Sequence, residues 1–300
     1  MNRQRALLAI HIAAVLFGLT GIFGELIRAD AMVITMGRAG FAVAALFAFM
    51  RWQGLPIRAG IDRRSALALG CAGIMLAIHW VTFFIAVKVG GVAIATLGFA
   101  SFPAFITLCE WLVLRERISR GEWAILALVS FGLILVTPSF DFRDQATEGL
   151  AWALVSGFSF ALFTLINRKA AGRVPAYQVA CWENLVVVVA TLPFSLGGIG
   201  AVTPLDWFWL ALLGVFCTAL SHYLLVSSLM TLKARSAGIV IALEPIYAIF
   251  FAAVLFAQYP GMRALIGGAI MIGAIVWSGT RRPERPAAPR GGGRRPRRRQ

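Results

Sequence analysis

The chain has little charge, few acids and no polar stretch long enough to form a domain of its own. Only 14% of its 300 residues are charged, 13 of them acidic, against 60% hydrophobic, and the mean hydropathy is +0.82. Soluble domains devote about a quarter of their residues to charge, so a water-soluble fold is excluded. Strict alternation of apolar and polar residues is absent too, which excludes an outer-membrane barrel. Cysteine is scarce. Cys71, Cys109, Cys181 and Cys217 all fall inside apolar runs, at spacings that suit neither a disulfide framework nor a zinc site. They read as small core residues, and no metal or cofactor is expected. No G-x-x-x-x-G-K-[ST] segment is present for an ATP-driven pump, no H-E-x-x-H helix for a metalloprotease, and no G-x-S-x-G elbow for a serine hydrolase. A channel and a membrane-embedded enzyme are the alternatives from other classes. Saturation of flux with substrate separates a carrier from a channel.

What the chain has instead is apolar runs. A helix needs about 20 apolar residues to cross the hydrocarbon core. Ten runs qualify as candidates, at roughly 6–27, 32–50, 65–87, 92–114, 122–138, 149–168, 176–196, 205–229, 236–257 and 262–279. The first is too long for the apolar core of a signal peptide and lacks a small-residue cleavage site, so it reads as a helix. The expected fold class is an all-α membrane protein of ten transmembrane helices.

The formal net charge of +15 is concentrated. The tail "RRPERPAAPRGGGRRPRRRQ" (281–300) carries nine arginines and one glutamate, without large apolar residues, and reads as a disordered cytoplasmic segment. Contact with anionic lipid is its expected use, and nucleic acid is not an expected partner. With the N-terminus in the cytoplasm, the inner segments and tail hold 23 Lys and Arg, including Arg3, Arg51, Arg64, Arg115, Arg117, Arg168 and Lys233. The outer segments hold four: Arg28, Lys88, Arg143 and Arg263. Cytoplasmic loops concentrate positive charge, so both termini are expected inside.

The stretch "SFPAFITLCEWLVLRERISRGEWAILALVSFGLIL" (101–135) and the later "LEPIYAIFFAAVLFAQYPGMRALIGGAIMIGAIVW" (243–277) share one pattern at an offset of 142 residues. Pro103 falls on Pro245, and each apolar run is followed by a break and a second run. The first copy carries Arg115, Glu116 and Arg117 at its break, where the second has Ala257, Gln258 and Tyr259. Five helices per half is an odd number, so the second half must be inverted. The first break then faces the cytoplasm and needs positive charge, whereas the second faces outward. The expected organisation is a five-helix repeat over 1–145, an inverted repeat over 146–280, and the tail. Inverted repeats are a feature of secondary transporters, whose substrates sit near the midplane between the halves.

These residues carry a resemblance. The two inverted fives, "LRERIS" closing the fourth helix, and the "LEP" run followed by "LIGGAIMIGAIV" resemble the drug/metabolite transporter superfamily, EamA type, over residues 5–280. Within it the chain is most similar to YddG-type bacterial exporters. That resemblance implies a multi-pass protein of the bacterial inner membrane that exports aromatic and other neutral amino acids. Many family members have an acid where this chain has Gln258, so no role for that acid carries over.

Pro103 and Pro245 each remove a backbone donor and disfavour helix at the preceding residue, so both helices should kink there. Broken helices at membrane depth are tolerated against protein or a water-filled cavity. The 142-residue offset pairs His79 with Ser221, Trp80 with His222, and Phe102 with Glu244. His222 and Glu244 sit at similar depth and are placed to meet. One side of the cavity is then titratable and the other aromatic, which suits a substrate with an ammonium group and an apolar side chain. Ionisable residues inside spans default to functional candidates. Arg38 and Glu183 are candidates for gating or charge pairing, although their depths differ by about 9 Å at a rise of ~1.5 Å per residue. Phe83 shares a helix face with His79. Ser101, Phe99 and Trp182 complete the candidate cavity. Glu25 and Glu110 read as local structural charges. The glycine runs "GLTGIFG" (Gly18, Gly21, Gly24) and "GGAIMIG" (Gly267, Gly268, Gly273) read as close helix packing, in the monomer or a dimer.

The expected function is secondary transport: export of small metabolites, neutral and aromatic amino acids foremost, by alternating access. Drugs and nucleosides or purines are the alternative substrates. The expected partners are the small-molecule substrate and the bilayer.

Overall fold

The structure, a computed structural model, describes residues 3–113, 115, 118–137, 141, 143–170, 174–229, 231, 240–241 and 243–280. The basic tail lies outside the described residues, as do Glu116 and Arg117. Among the described residues all regular structure is helical. The helices are α1 (Arg3–Leu26), α2 (Ala31–Trp52), α3 (Arg63–Phe99), α4 (Phe102–Leu112), α5 (Arg120–Val136), α6 (Gln145–Ala170), α7 (Ala176–Ile199), α8 (Pro204–Gly214), α9 (Ser221–Leu229), α10 (Glu244–Phe256) and α11 (Met262–Thr280). A π-helical turn, Val215–Leu220, joins α8 to α9. Six stretches are long and apolar enough to cross a membrane: α1, α2, α3, Gln145–Asn167, α7 and Pro204–Leu225. Shorter apolar helices include α4 and α10.

Start signals are local and legible. Asp30 caps α2 by accepting from Val33 N at 2.9 Å, and Asp62 caps α3 by accepting from Ser65 N at 2.7 Å. Ser119 with Glu122, and Thr203 with Asp206, form reciprocal capping boxes on α5 and α8.

Helix α3 is 37 residues long, about 55 Å at ~1.5 Å per residue, far more than the hydrocarbon core. Gly91 divides it, with φ 79° and ψ 167°, a conformation that L side chains avoid. The segment after Gly91 ends at a turn through Ala100 and Ser101, and the chain re-enters helix as α4 with Pro103 in the first turn. Helix α10 begins the same way, with Leu243 in a turn and Pro245 in the first turn. A proline there sacrifices a donor that has no intrahelical acceptor in any case.

The packing scheme repeats when the halves are exchanged. α3 lies along α6, and α1 lies along α9 and the π turn. α4 rests on α6, and α1 on α10; α3 touches α7, and α2 touches α8. α2 pairs with α7, and α5 with α11. Glycines of both runs serve these contacts, Gly273 excepted: a Cβ on Gly18 would lie 2.8 Å from Tyr247 Cβ, and one on Gly268 2.7 Å from Leu97 Cδ2, whereas one on Gly273 would meet nothing within 4 Å. Cys109, Cys181 and Cys217 are buried free thiols, whereas Cys71 is exposed and departs from the expected core placement.

One end of the bundle is stitched shut between the halves. There Gln258 accepts from Val92 N and donates to Glu25 Oε1, both at 3.3 Å. Arg28 N donates to Asp206 Oδ1 at 2.9 Å, and Gly90 and Gly149 bring α3 and α6 together backbone to backbone. Glu25 is therefore a cross-half contact and not only a local charge.

Candidate functional site

A cavity of about 610 Å³ lies between the halves. It runs from the middle of the bundle, at Phe83, Phe99 and Phe102, to the α6–α7 connection at Val174 and Ala176. That mouth is at the end opposite the stitched one, so the cavity is a one-sided vestibule.

Its aromatic wall comes from α3, α4 and α6. Phe160 on α6 is central, with ring centroids 4.9 Å from His79, 5.2 Å from Phe99, 5.1 Å from Phe102 and 5.6 Å from Phe163. Phe99 stacks on both His79 (4.9 Å) and Phe102 (5.2 Å), and Phe83 meets Phe99 edge-on at 6.0 Å. His79 is held by a reciprocal pair of bonds. Its Nδ1 lies 2.7 Å from Ser156 Oγ, and that hydroxyl donates to the His79 carbonyl at 3.1 Å. This ties α3 to α6.

The ionisable wall comes from α2, α7, α9 and α10. Arg38 is 3% exposed. Its Nε and Nη2 donate to Thr218 Oγ1 at 3.1 and 2.8 Å, and its Cζ sits 4.0 Å over the Trp80 ring. Thr218 lies in the π turn and donates its own hydroxyl to Leu213 O, five residues back, at 3.1 Å. The π geometry thus turns the threonine towards α2, and such turns often occur at functional sites. His222 and Glu244 both line the cavity; the His222 ring packs 5.7 Å from Phe17, and Glu244 and Arg38 lie within electrostatic range of each other. Glu183 lines the cavity nearer the mouth, accepts from Asn167, and keeps a buried Oε1 without a hydrogen-bond partner.

Nine sequence candidates therefore line one cavity: Arg38, His79, Trp80, Phe83, Phe99, Phe102, Glu183, His222 and Glu244. Others do not. Trp182 points to the α2–α3 connection, where its Nε1 donates to Ile57 O at 3.1 Å and Arg58 lies over its ring. Ser101 and Ser221 spend their hydroxyls on their own helices, on Gly98 O (2.7 Å) and Cys217 O (2.9 Å). Arg38 is anchored by Thr218 and Glu183 by Asn167, so the two are not paired, as their different depths foreshadow. His222 and Glu244 line the same cavity, and the His222 ring packs on Phe17. The sequence missed Thr218, Phe160, Phe163 and Asn167. Only Asn167, a polar residue near the end of an apolar run, carried a visible signal.

The comparisons with known proteins agree with one another. The model of the EamA-like transporter family matches residues 4–137 and again 147–280. An uncharacterized transporter of Archaeoglobus fulgidus is 24% identical over 271 residues, 89% of this chain and 94% of the relative. The pseudopaline exporter CntI of Pseudomonas aeruginosa is 22% identical over 247 residues, 81% of this chain and 84% of the relative. A solved crystal structure superposes with a TM-score of 0.65 at 17% identity, covering 92% of this chain and 97% of the other, which establishes likeness of fold alone.

Proposed function

The chain belongs to the EamA-like transporter family, and from that premise we propose that it exports neutral amino acids, aromatic ones foremost, across the bacterial inner membrane by alternating access. The observation that carries the reading is the cavity's two-sided lining. Phe83, Phe99, Phe102, Phe160 and Phe163 form one face, and Arg38, Glu183, His222 and Glu244 the other. The aromatic face suits an apolar side chain and the acids suit an ammonium group. The relative named as a pseudopaline exporter supports outward transport of a small metabolite.

The repeated packing scheme and the paired breaks before Pro103 and Pro245 support two inverted five-helix repeats, over 1–145 and 146–280. The vestibule opens at the end that carries Arg51, Arg58, Arg63 and Arg64, the cytoplasmic end by the distribution of positive charge. The described conformation is then the loading state of an exporter, with the outer end closed by Gln258, Glu25 and Val92.

Counterflow in proteoliposomes against a panel of amino acids, drugs and nucleosides tests the substrate class. Exchange of phenylalanine and leucine is expected, and exchange confined to drugs or nucleosides overturns it. Reporters fused after Thr280 and within 141–147 test the topology. The first should report cytoplasm and the second the outside; both on one side would end the ten-helix reading.

A further inference from the structure

We propose that Arg38 is the anion-binding residue of the cavity, so that the transported molecule presents a carboxylate as well as an ammonium group and an apolar side chain. This rests on the amino-acid reading above and deepens it. Arg38 sits about two turns into α2, buried to all but 3%, and lines the cavity. Its guanidinium does not move freely: Nε and Nη2 converge on Thr218 Oγ1, while Trp80 covers one face at 4.0 Å and Phe84 lies at 5.5 Å. Thr218 has given its own proton to Leu213 O, so its oxygen is oriented as an acceptor for the guanidinium.

Threonine supplies hydrogen bonds but no charge. Nη1 stays buried without a hydrogen-bond partner. A buried donor left unpaired is costly, and more so on a cation. The protein has thus fixed the direction of a guanidinium and left one of its nitrogens without a hydrogen-bond acceptor. The planar fork of arginine matches a carboxylate, which it can bind through two parallel bonds.

The acids of the cavity support the other half of the assignment. Glu183 holds an unpartnered buried Oε1 and takes its bond from Asn167, and Glu244 lines the same cavity within electrostatic range of Arg38. A guanidinium with one unpartnered nitrogen and two carboxyls not hydrogen-bonded to it share the ionisable side of the cavity. The aromatic wall lines the same cavity. A zwitterion with an apolar side chain satisfies all three surfaces at once, whereas a bare amine, a nucleoside or a neutral apolar drug leaves Arg38 unanswered.

The test compares molecules that differ only at the carboxylate. Liposomes containing the full-length protein are loaded with L-phenylalanine, and radiolabelled L-phenylalanine exchange is competed with L-phenylalanine, L-phenylalaninamide or phenethylamine. The two compounds without a carboxylate should compete about tenfold to hundredfold more weakly, the range of one charge-assisted hydrogen bond. Arg38→Gln should remove that preference and leave competition by the amide unchanged, and Arg38→Lys should recover part of it. Thr218→Val, which frees the guanidinium, should weaken phenylalanine more than its amide. Equal competition by phenylalanine and its amide in the unaltered protein overturns the assignment and needs no variant to fold. An equal loss for both in an Arg38→Gln protein that melts normally also overturns it, by reducing Arg38 to a structural cation. Failure of the unaltered protein to exchange any amino acid sinks the amino-acid reading itself, a result distinct from either.

Discussion

The two corners where the halves meet are built on the same plan and finished differently. At one corner α3 lies along α6; at the other, α9 and the π turn lie along α1. Each adjoins a helix that restarts at a proline, α4 at Pro103 and α10 at Pro245. Moving by 142 residues from the first corner to the second turns His79 into Ser221, Trp80 into His222, Phe99 into Ile241 and Phe102 into Glu244. The backbone device persists while its contents change from aromatic to ionisable. The two corners thus share the backbone device beside the cavity and differ in the side chains it carries. A symmetric cavity would offer a substrate two similar ends; this one offers an apolar wall and a charged one.

The comparison breaks first at Phe102 and Glu244. If the charged corner holds the ammonium group, Glu244→Gln should raise the half-saturating concentration of phenylalanine about tenfold to hundredfold, since a charge-assisted hydrogen bond contributes about 1.5–3 kcal/mol. Phe102→Leu keeps an apolar wall and should raise it less than about tenfold, because it forfeits aromatic contacts of about 0.5–1.5 kcal/mol each, only in part. Counterflow kinetics on both variants measures this, and equal effects would erase the division between the corners.

Next comes packing. Gly18 lies where α1 meets α10, and Gly157 lies at the matching contact of α6 with α4. A Cβ on Gly18 would stand 2.8 Å from Tyr247 Cβ and 3.1 Å from the backbone at Ala248 N and Glu244 O. On Gly157 the nearest atoms are Phe99 O and Ser101 Oγ, both at 3.2 Å. Gly18→Ala should therefore cost about 1–3 kcal/mol, and Gly157→Ala less than about 1 kcal/mol. Melting temperatures in detergent would give the order directly, and a reversed order would mean that the α4 side is the tighter.

Much of this plan is legible in the sequence because hydrocarbon punishes charge. Arg38, Glu183, His222 and Glu244 stand out within apolar runs, and all four line the cavity. The breaks announce themselves through Pro103 and Pro245, whose rings forbid an ordinary helix. Side-chain direction is another matter. A helix that is apolar all round gives no stripe to read, so Trp182 could be set on the wrong face, against the α2–α3 connection. Phe160 and Phe163 are two among 22 phenylalanines, and nothing local distinguishes a cavity ring from a lipid-facing one. Thr218 is hidden for another reason. Its role depends on one π turn, and the run VFCTAL carries no signal for an extra residue per turn. The link from Gln258 to Glu25 spans 233 positions and exists only after the halves have docked.

The smallest expected effect concerns the polar residues of the two corners, His79 and Ser221. In the first corner the imidazole and Ser156 exchange bonds across a helix interface, at 2.7 and 3.1 Å. In the second, the Ser221 hydroxyl turns back onto Cys217 O and Thr218 O of its own chain segment, and it ties nothing to α1. Interhelical hydrogen bonds in membranes average about 0.6 kcal/mol and reach about 1.7, whereas a serine bonded to its own preceding turn contributes close to nothing and can weaken the helix slightly. Replacing His79 by leucine, which fills the space without the bond, should lower stability in detergent by about 0.6–1.5 kcal/mol. Ser221→Ala should leave it unchanged to within about 0.5 kcal/mol. A double variant with Ser156→Ala sharpens the result: if the reciprocal bond is the cause, adding Ser156→Ala to His79→Leu should cost almost nothing further. Additive losses would place the stability of this corner in the rings of Phe99 and Phe160 and not in the His79–Ser156 lock.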